Sequence, residues 1–101
     1  MKLTFLPVVL MACGAAAPVL ALNQELELSQ QLSAGEALYN ANCSQCHAMS
    51  LRGSAHGTAL RGAAFEERWG ERDSTALLRF NQVNMPPGAS ASLSEEQHLA
   101  V

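Results

Sequence analysis

The sequence predicts a small all-α domain organised around a single five-residue stretch. Three observations lead there. Helix-start signals recur along the chain, at Ser33-Ala34-Gly35-Glu36, at Asp73-Ser74 and at Ser94-Glu95-Glu96-Gln97, and the first and last of these are capping boxes. The length of 101 residues allows one domain at most. With an N-terminal leader set aside, about eighty residues remain, a size at which a side-chain core alone is marginal. The third observation is Cys43-Ser44-Gln45-Cys46-His47, whose spacing suits the covalent capture of a large apolar group that can serve as the missing core.

Residues 1–21 read as a secretory signal peptide. Met1-Lys2 is a minimal positive start, Leu3 to Ala17 is almost wholly apolar, and Val19-Leu20-Ala21 suits cleavage before Leu22. A transmembrane anchor fits less well, because the apolar run is short and broken by Pro7 and Pro18. A second processing route is open at Leu10-Met11-Ala12-Cys13-Gly14, which resembles a bacterial lipobox with Cys13 as the lipidated residue. The leader inflates the apolar fraction of 49%. It also removes Lys2, the sole lysine, so that five arginines face nine acidic residues. This balance disfavours a nucleic-acid partner.

Residues 22–32, polar and acidic with leucines at 22, 26, 28 and 32, read as an N-terminal arm ahead of the domain at 33–101. Ser33 then caps a helix over 34–42, with Glu36 closing the box. Gly35 inside it costs about 1 kcal/mol against alanine, which predicts a packing reason. Another helix crossing closely at Gly35, with Tyr39 one turn further on, supplies one. Residues 48–64, with glycines at 53, 57 and 62, read as a loop. Phe65 to Gly70 reads as a helical turn and Asp73 or Ser74 as the cap of a helix reaching about Asn81. Met85-Pro86-Pro87-Gly88 is a stiff extended segment. The last helix starts at Ser94, with Leu99 facing inward and His98 facing solvent.

C-x-x-C-H is the attachment signature of c-type haem. Each thiol adds to one vinyl group, and the adjoining histidine offers Nε2 to the iron from beneath. Three other readings compete. A thioredoxin-like motif requires a strand before it, a zinc site requires a second ligand pair, and a disulfide across two residues makes a strained loop. The cofactor is therefore expected to be haem c, held by Cys43 and Cys46, with His47 as an iron ligand. Met85 is expected to be the second ligand, its thioether stiffened in place by the prolines that follow. Met49 is the rival, two residues past His47, with His56 and His98 behind it.

The order of a capped helix with Gly-x-x-x-Tyr, C-x-x-C-H, a glycine-rich loop, Trp, a helix and Met-Pro-Pro-Gly resembles class I monohaem cytochrome c over residues 33–101. Within that family it is most similar to the small cytochrome c domains and subunits of bacterial quinoprotein alcohol dehydrogenases. The resemblance implies an all-α fold around haem c, an electron-carrying role, and the site Cys43, Cys46, His47 and Met85. Two departures stand out. The family has Gly-Pro-x-Leu-x-Gly where this chain has Gly57-Thr58-Ala59-Leu60-Arg61-Gly62. The carbonyl that accepts the histidine Nδ1–H is therefore expected to be that of Thr58. The family's last helix also runs further and carries an aromatic that meets the Gly/Tyr face, so here it reads as truncated, leaving the first helix partly uncovered. Trp69 and one of Arg52 or Arg61 are expected at the haem propionates.

The function expected from this is electron transport, not catalysis. A periplasmic carrier would cycle one electron between a dehydrogenase donor and an oxidase or cytochrome acceptor. Alternatives are the haem subunit of a quinoprotein dehydrogenase and a haem gas sensor, the last of which needs an open or labile sixth ligand position.

Overall fold

The computed structural model describes residues 16–101. Most of the expected leader, and Cys13 with it, lie outside the described residues. Within them every regular element is helical: α1 (Ala16–Asn42), α2 (Ser44–His47), α3 (Ala63–Trp69), α4 (Ser74–Asn84), a 3-10 turn (Ser90–Ser92) and α5 (Glu95–Ala100). The one extended pairing among the described residues is an isolated bridge between Ser54 and Gly57. The all-α expectation holds.

The expected start of the first helix is corrected. Residues 22–32 are not an irregular arm but part of α1, which runs unbroken through Ser33. Two things explain this. Leu, Gln and Glu dominate this stretch and are good helix formers. Pro18 falls in the first turn, where its missing N–H is tolerated. Ser33 and Glu36 keep the spacing of a capping box, but the helix has already begun. Side chains over residues 18–34 are exposed, and no described helix is long and apolar enough to cross a membrane.

The end of α1 is where the site begins. Its last carbonyls are satisfied by side chains: Asn42 Nδ2 donates to the Leu38 carbonyl at 2.9 Å and Ser44 Oγ to that of Asn40 at 2.8 Å. The Cys43 N–H still bonds the Tyr39 carbonyl at 2.8 Å, so α2 follows almost without a break. Ala48 stops α2 with φ of 65°, a backbone state that costs an alanine about 1–3 kcal/mol and must be held by its surroundings. It is held on both sides. Its N–H donates to the Ser44 carbonyl at 2.8 Å, and its carbonyl accepts the Tyr39 hydroxyl at 2.7 Å.

α4 starts where its cap predicts: the Asp73 side chain accepts from Thr75 Oγ1 and from the Ala76 N–H. These bonds, the Thr75 one foremost, hold the Asp73 carboxyl below its ordinary range. The helix extends one turn past the expected Asn81. It ends at Met85, whose N–H bonds the Asn81 carbonyl at 2.8 Å. Trp69 and Phe80 meet edge-on at 5.3 Å between ring centres and join α3 to α4.

At the far end, Ser94 and Gln97 form the expected reciprocal capping box. α5 packs on α1 at Gly35, one of two buried residues in the described chain, and a β-carbon there would collide with the Ala100 carbonyl. This is the close crossing that Gly35 predicted, made by backbone instead of an aromatic. The expected facing of α5 is reversed. Leu99 is 69% exposed, and His98 is the inward residue at 6%. The Ser90 carbonyl, 3.0 Å from His98 Nε2, gives the imidazole an inward partner that Leu99 could not use.

Gly35→Ala therefore sets two effects against each other. Alanine gains about 1 kcal/mol of helix propensity, while overpacking costs about 1–3 kcal/mol. Because the obstacle is a backbone carbonyl that cannot swing aside, the overpacking is expected to win. The denaturation midpoint should fall, and a rise would mean that α5 leaves α1 without cost.

Candidate functional site

No apolar side chain is fully buried among the described residues; besides Gly35 only His98 is. The helices instead surround a cavity of about 510 Å³, within the range of ~300–1,000 Å³ usual for cofactor sites. Cys43, Cys46, His47 and Met85 all line it, together with apolar groups from α3, α4 and the connecting segments, among them Leu51, Leu60, Phe65, Leu77, Phe80 and Leu93.

The attachment turn is held from three sides. Its last carbonyls would be orphans at the end of so short a helix. Ser54 Oγ donates to the Cys46 carbonyl at 2.7 Å, the Gly53 N–H to that of His47 at 2.9 Å, and Tyr39 to that of Ala48. The glycine-rich loop thus folds back on the turn, and its glycines are there for contact. A β-carbon on Gly57 would stand 2.6 Å from the Cys46 carbonyl oxygen, and Gly53 has φ of 78°. Burial pushes the Cys43 thiol up, and pushes the Tyr39 hydroxyl up with a smaller contribution from Cys43. Both groups stay protonated near neutrality, which keeps Tyr39 a donor.

His47 Nδ1 lies 2.6 Å from the Thr58 carbonyl oxygen. A carbonyl only accepts, so Nδ1 carries the proton and the lone pair sits on Nε2. The tautomer is thereby the one suited to a metal at Nε2, with a second partner that fixes the ring and raises its basicity. The loss of proline at position 58 leaves this bond intact, because the carbonyl does not depend on the side chain.

Among the other sulfur and imidazole groups, Met49 is 75% exposed and lines a separate surface groove beside α1 and α5. His56 reaches the cavity from the loop. His98 reaches it too, but its Nε2 lies 3.0 Å from the Ser90 carbonyl and so carries a proton. Trp69 lines the cavity, whereas Arg52 and Arg61 do not. The cation at the cavity wall is Arg68, stacked over Phe80 at 5.1 Å and over Trp69 at 5.3 Å. The sequence carried a faint signal for it: a guanidinium beside the only tryptophan, on the same short helix.

The competing readings of the pentapeptide find no support in the geometry. Cys43 and Cys46 are not joined to each other, no group of three or more His, Cys, Asp or Glu converges among the described residues, and the element before the motif is a helix, not a strand. An apolar cavity with two thiols, a tautomer-fixed imidazole and a thioether on its walls fits a haem joined to the chain.

No curated protein and no solved structure matches the chain. A protein-family model does, over residues 30–101, and it is described as cytochrome c oxidase, cbb3-type, subunit III. That span contains the whole site and most of the described residues, and the chain belongs to this family of cytochrome c domains, which bind haem c covalently and transfer electrons through it.

Proposed function

We propose that the chain is an exported one-electron carrier whose haem is attached through Cys43 and Cys46 and ligated by His47 Nε2 and the Met85 sulfur. The observation that carries this is the convergence of all four residues on one apolar cavity, with His47 already in the ligating tautomer. Haem supplies a ferrous–ferric couple when bound. The chain's own residues do the rest. The attachment turn fixes the group in place, the Thr58 carbonyl orients the imidazole, and the apolar wall keeps water from the iron, which with Met85 favours the reduced state. Trp69 and Arg68, both on the cavity wall, would be the donors on offer to the propionates.

His47 and Met85 would together leave the iron no position for a substrate, so a bound haem would supply one-electron exchange and no substrate chemistry. Export is supported by the leader-like residues 1–21 and by the attachment chemistry, which runs outside the cytoplasm in bacteria. The periplasm is the matching compartment, with Cys13 as a lipid anchor in the alternative processing route. The redox partners are proteins: a dehydrogenase as donor, and an oxidase or another cytochrome as acceptor. Such encounters are small and transient. A shortage of lysine, with arginine as the only strong cation after the leader, sets this surface apart from that of lysine-ringed carriers. Residence as a subunit of a larger oxidoreductase, a quinoprotein dehydrogenase or the oxidase that the family description names, is the second reading, and the family match favours the oxidase side.

A potentiometric titration tests the reading. One electron per chain is expected, and the reduced protein should keep its spectrum under carbon monoxide. Ready binding of carbon monoxide would instead mean an open or labile sixth position and a sensor.

A further inference from the structure

We infer that His98 is a positioning residue for Met85, acting through the Ser90 carbonyl; this rests on the ligand assignment proposed above. A buried imidazole is costly unless its polar atoms are partnered, and His98 is the only buried polar side chain among the described residues. Its Nε2–H donates to Ser90 O at 3.0 Å. That nitrogen is consequently closed to iron, so His98 serves the site without ligating it.

The segment from Met85 to Leu93 explains why such a bond matters. It leaves α4 at Met85 and returns at the cap of α5. Pro86 and Pro87 have no N–H to give. Its own bonds are short-range: Ala89 N–H to the Pro86 carbonyl, Ser92 N–H to that of Ala89, and Leu93 N–H to that of Ser90 at 3.4 Å. Among the described residues, the His98 bond is the only side-chain hydrogen bond that reaches this segment. Since α5 is seated on α1 at Gly35, where a β-carbon would meet the Ala100 carbonyl, His98 connects the Met85 segment to a helix crossing made by close backbone approach. A thioether is a weak, neutral ligand. Its hold on iron depends on how little the backbone behind it can move.

The test compares His98→Leu, which keeps bulk and loses the donor, with His98→Gln, which keeps a donor. Ferric protein of each kind is titrated with imidazole, which competes with Met85, while the near-infrared sulfur-to-iron band is followed. His98→Leu is expected to bind imidazole about tenfold more tightly, the scale of one lost hydrogen bond with a stranded carbonyl. His98→Gln is expected to recover most of the native resistance. In the native protein the His98 Nε2 proton should exchange slowly with solvent, a readout that needs no variant to fold; rapid exchange overturns the inference. A native protein with the band and a His98→Leu variant with unchanged imidazole affinity overturn this inference alone. A native protein without the band overturns the Met85 assignment and this inference with it.

Discussion

Replacing both Cys43 and Cys46 with alanine is expected to turn a pigment that survives acid–acetone extraction into one that is fully extractable. Each single replacement should leave one bond and an altered ferrous spectrum. The larger consequence is for the fold. No apolar side chain is fully buried among the described residues, and the apolar side chains instead gather on the walls of the cavity. A domain of about eighty residues has little apolar area to spare. A haem that can leave would take with it the surface offered to Leu60, Phe65, Leu77, Phe80 and Leu93, which line the cavity. The double variant is therefore expected to lose cooperative unfolding once the pigment is extracted, as seen by circular dichroism. The native chain should melt as a unit with its colour retained. A double variant that melts cooperatively without pigment would show that the helices hold a core of their own.

How much of this was legible in the residues depends on the range of the interaction involved. Cys43, Cys46 and His47 are sequence neighbours, so their chemistry is readable from spacing alone. The caps at Asp73 and Ser94 are local too, and both form. The cap at Ser33 is local but misleads, because a cap signal marks a place where a helix can start and says nothing about whether one has started upstream. The Thr58 carbonyl could be anticipated because a backbone acceptor is indifferent to the side chain that replaced proline. Gly35 was readable as a crossing point, but not that the Ala100 backbone would fill it. His98 and Leu99 were misassigned for a longer-range reason. On a helix of six residues the apolar side chain looks inward by default, and only the position of the Ser90 carbonyl, which no local pattern encodes, reverses the choice. The place of Arg68 is set at similar range: its stacking on Phe80 depends on how α3 meets α4.

Met85→Ala is expected to have the largest effect on the electron-transfer chemistry. Met85 closes α4 with its N–H bonded to the Asn81 carbonyl, and its side chain lines the cavity from the end of that helix. Alanine keeps the backbone bond and removes the sulfur, so the fold around the turn should persist while the ligand is lost. Three readouts then move together. The near-infrared sulfur-to-iron band should vanish from the oxidised protein. Carbon monoxide should bind the reduced variant, in contrast to the resistance expected of the native chain. The midpoint potential should fall by at least about 59 mV, a tenfold change in a one-electron equilibrium, because a thioether favours ferrous iron more than water or hydroxide does. Met49→Ala provides the control: at 75% exposed and away from the cavity, it should leave all three unchanged. Retention of the band in Met85→Ala, or its loss in Met49→Ala, would place the sixth ligand elsewhere. His56 would then be the imidazole to test first, since it lines the cavity and its ring is not engaged by a carbonyl in the way that closes His98 Nε2 to iron.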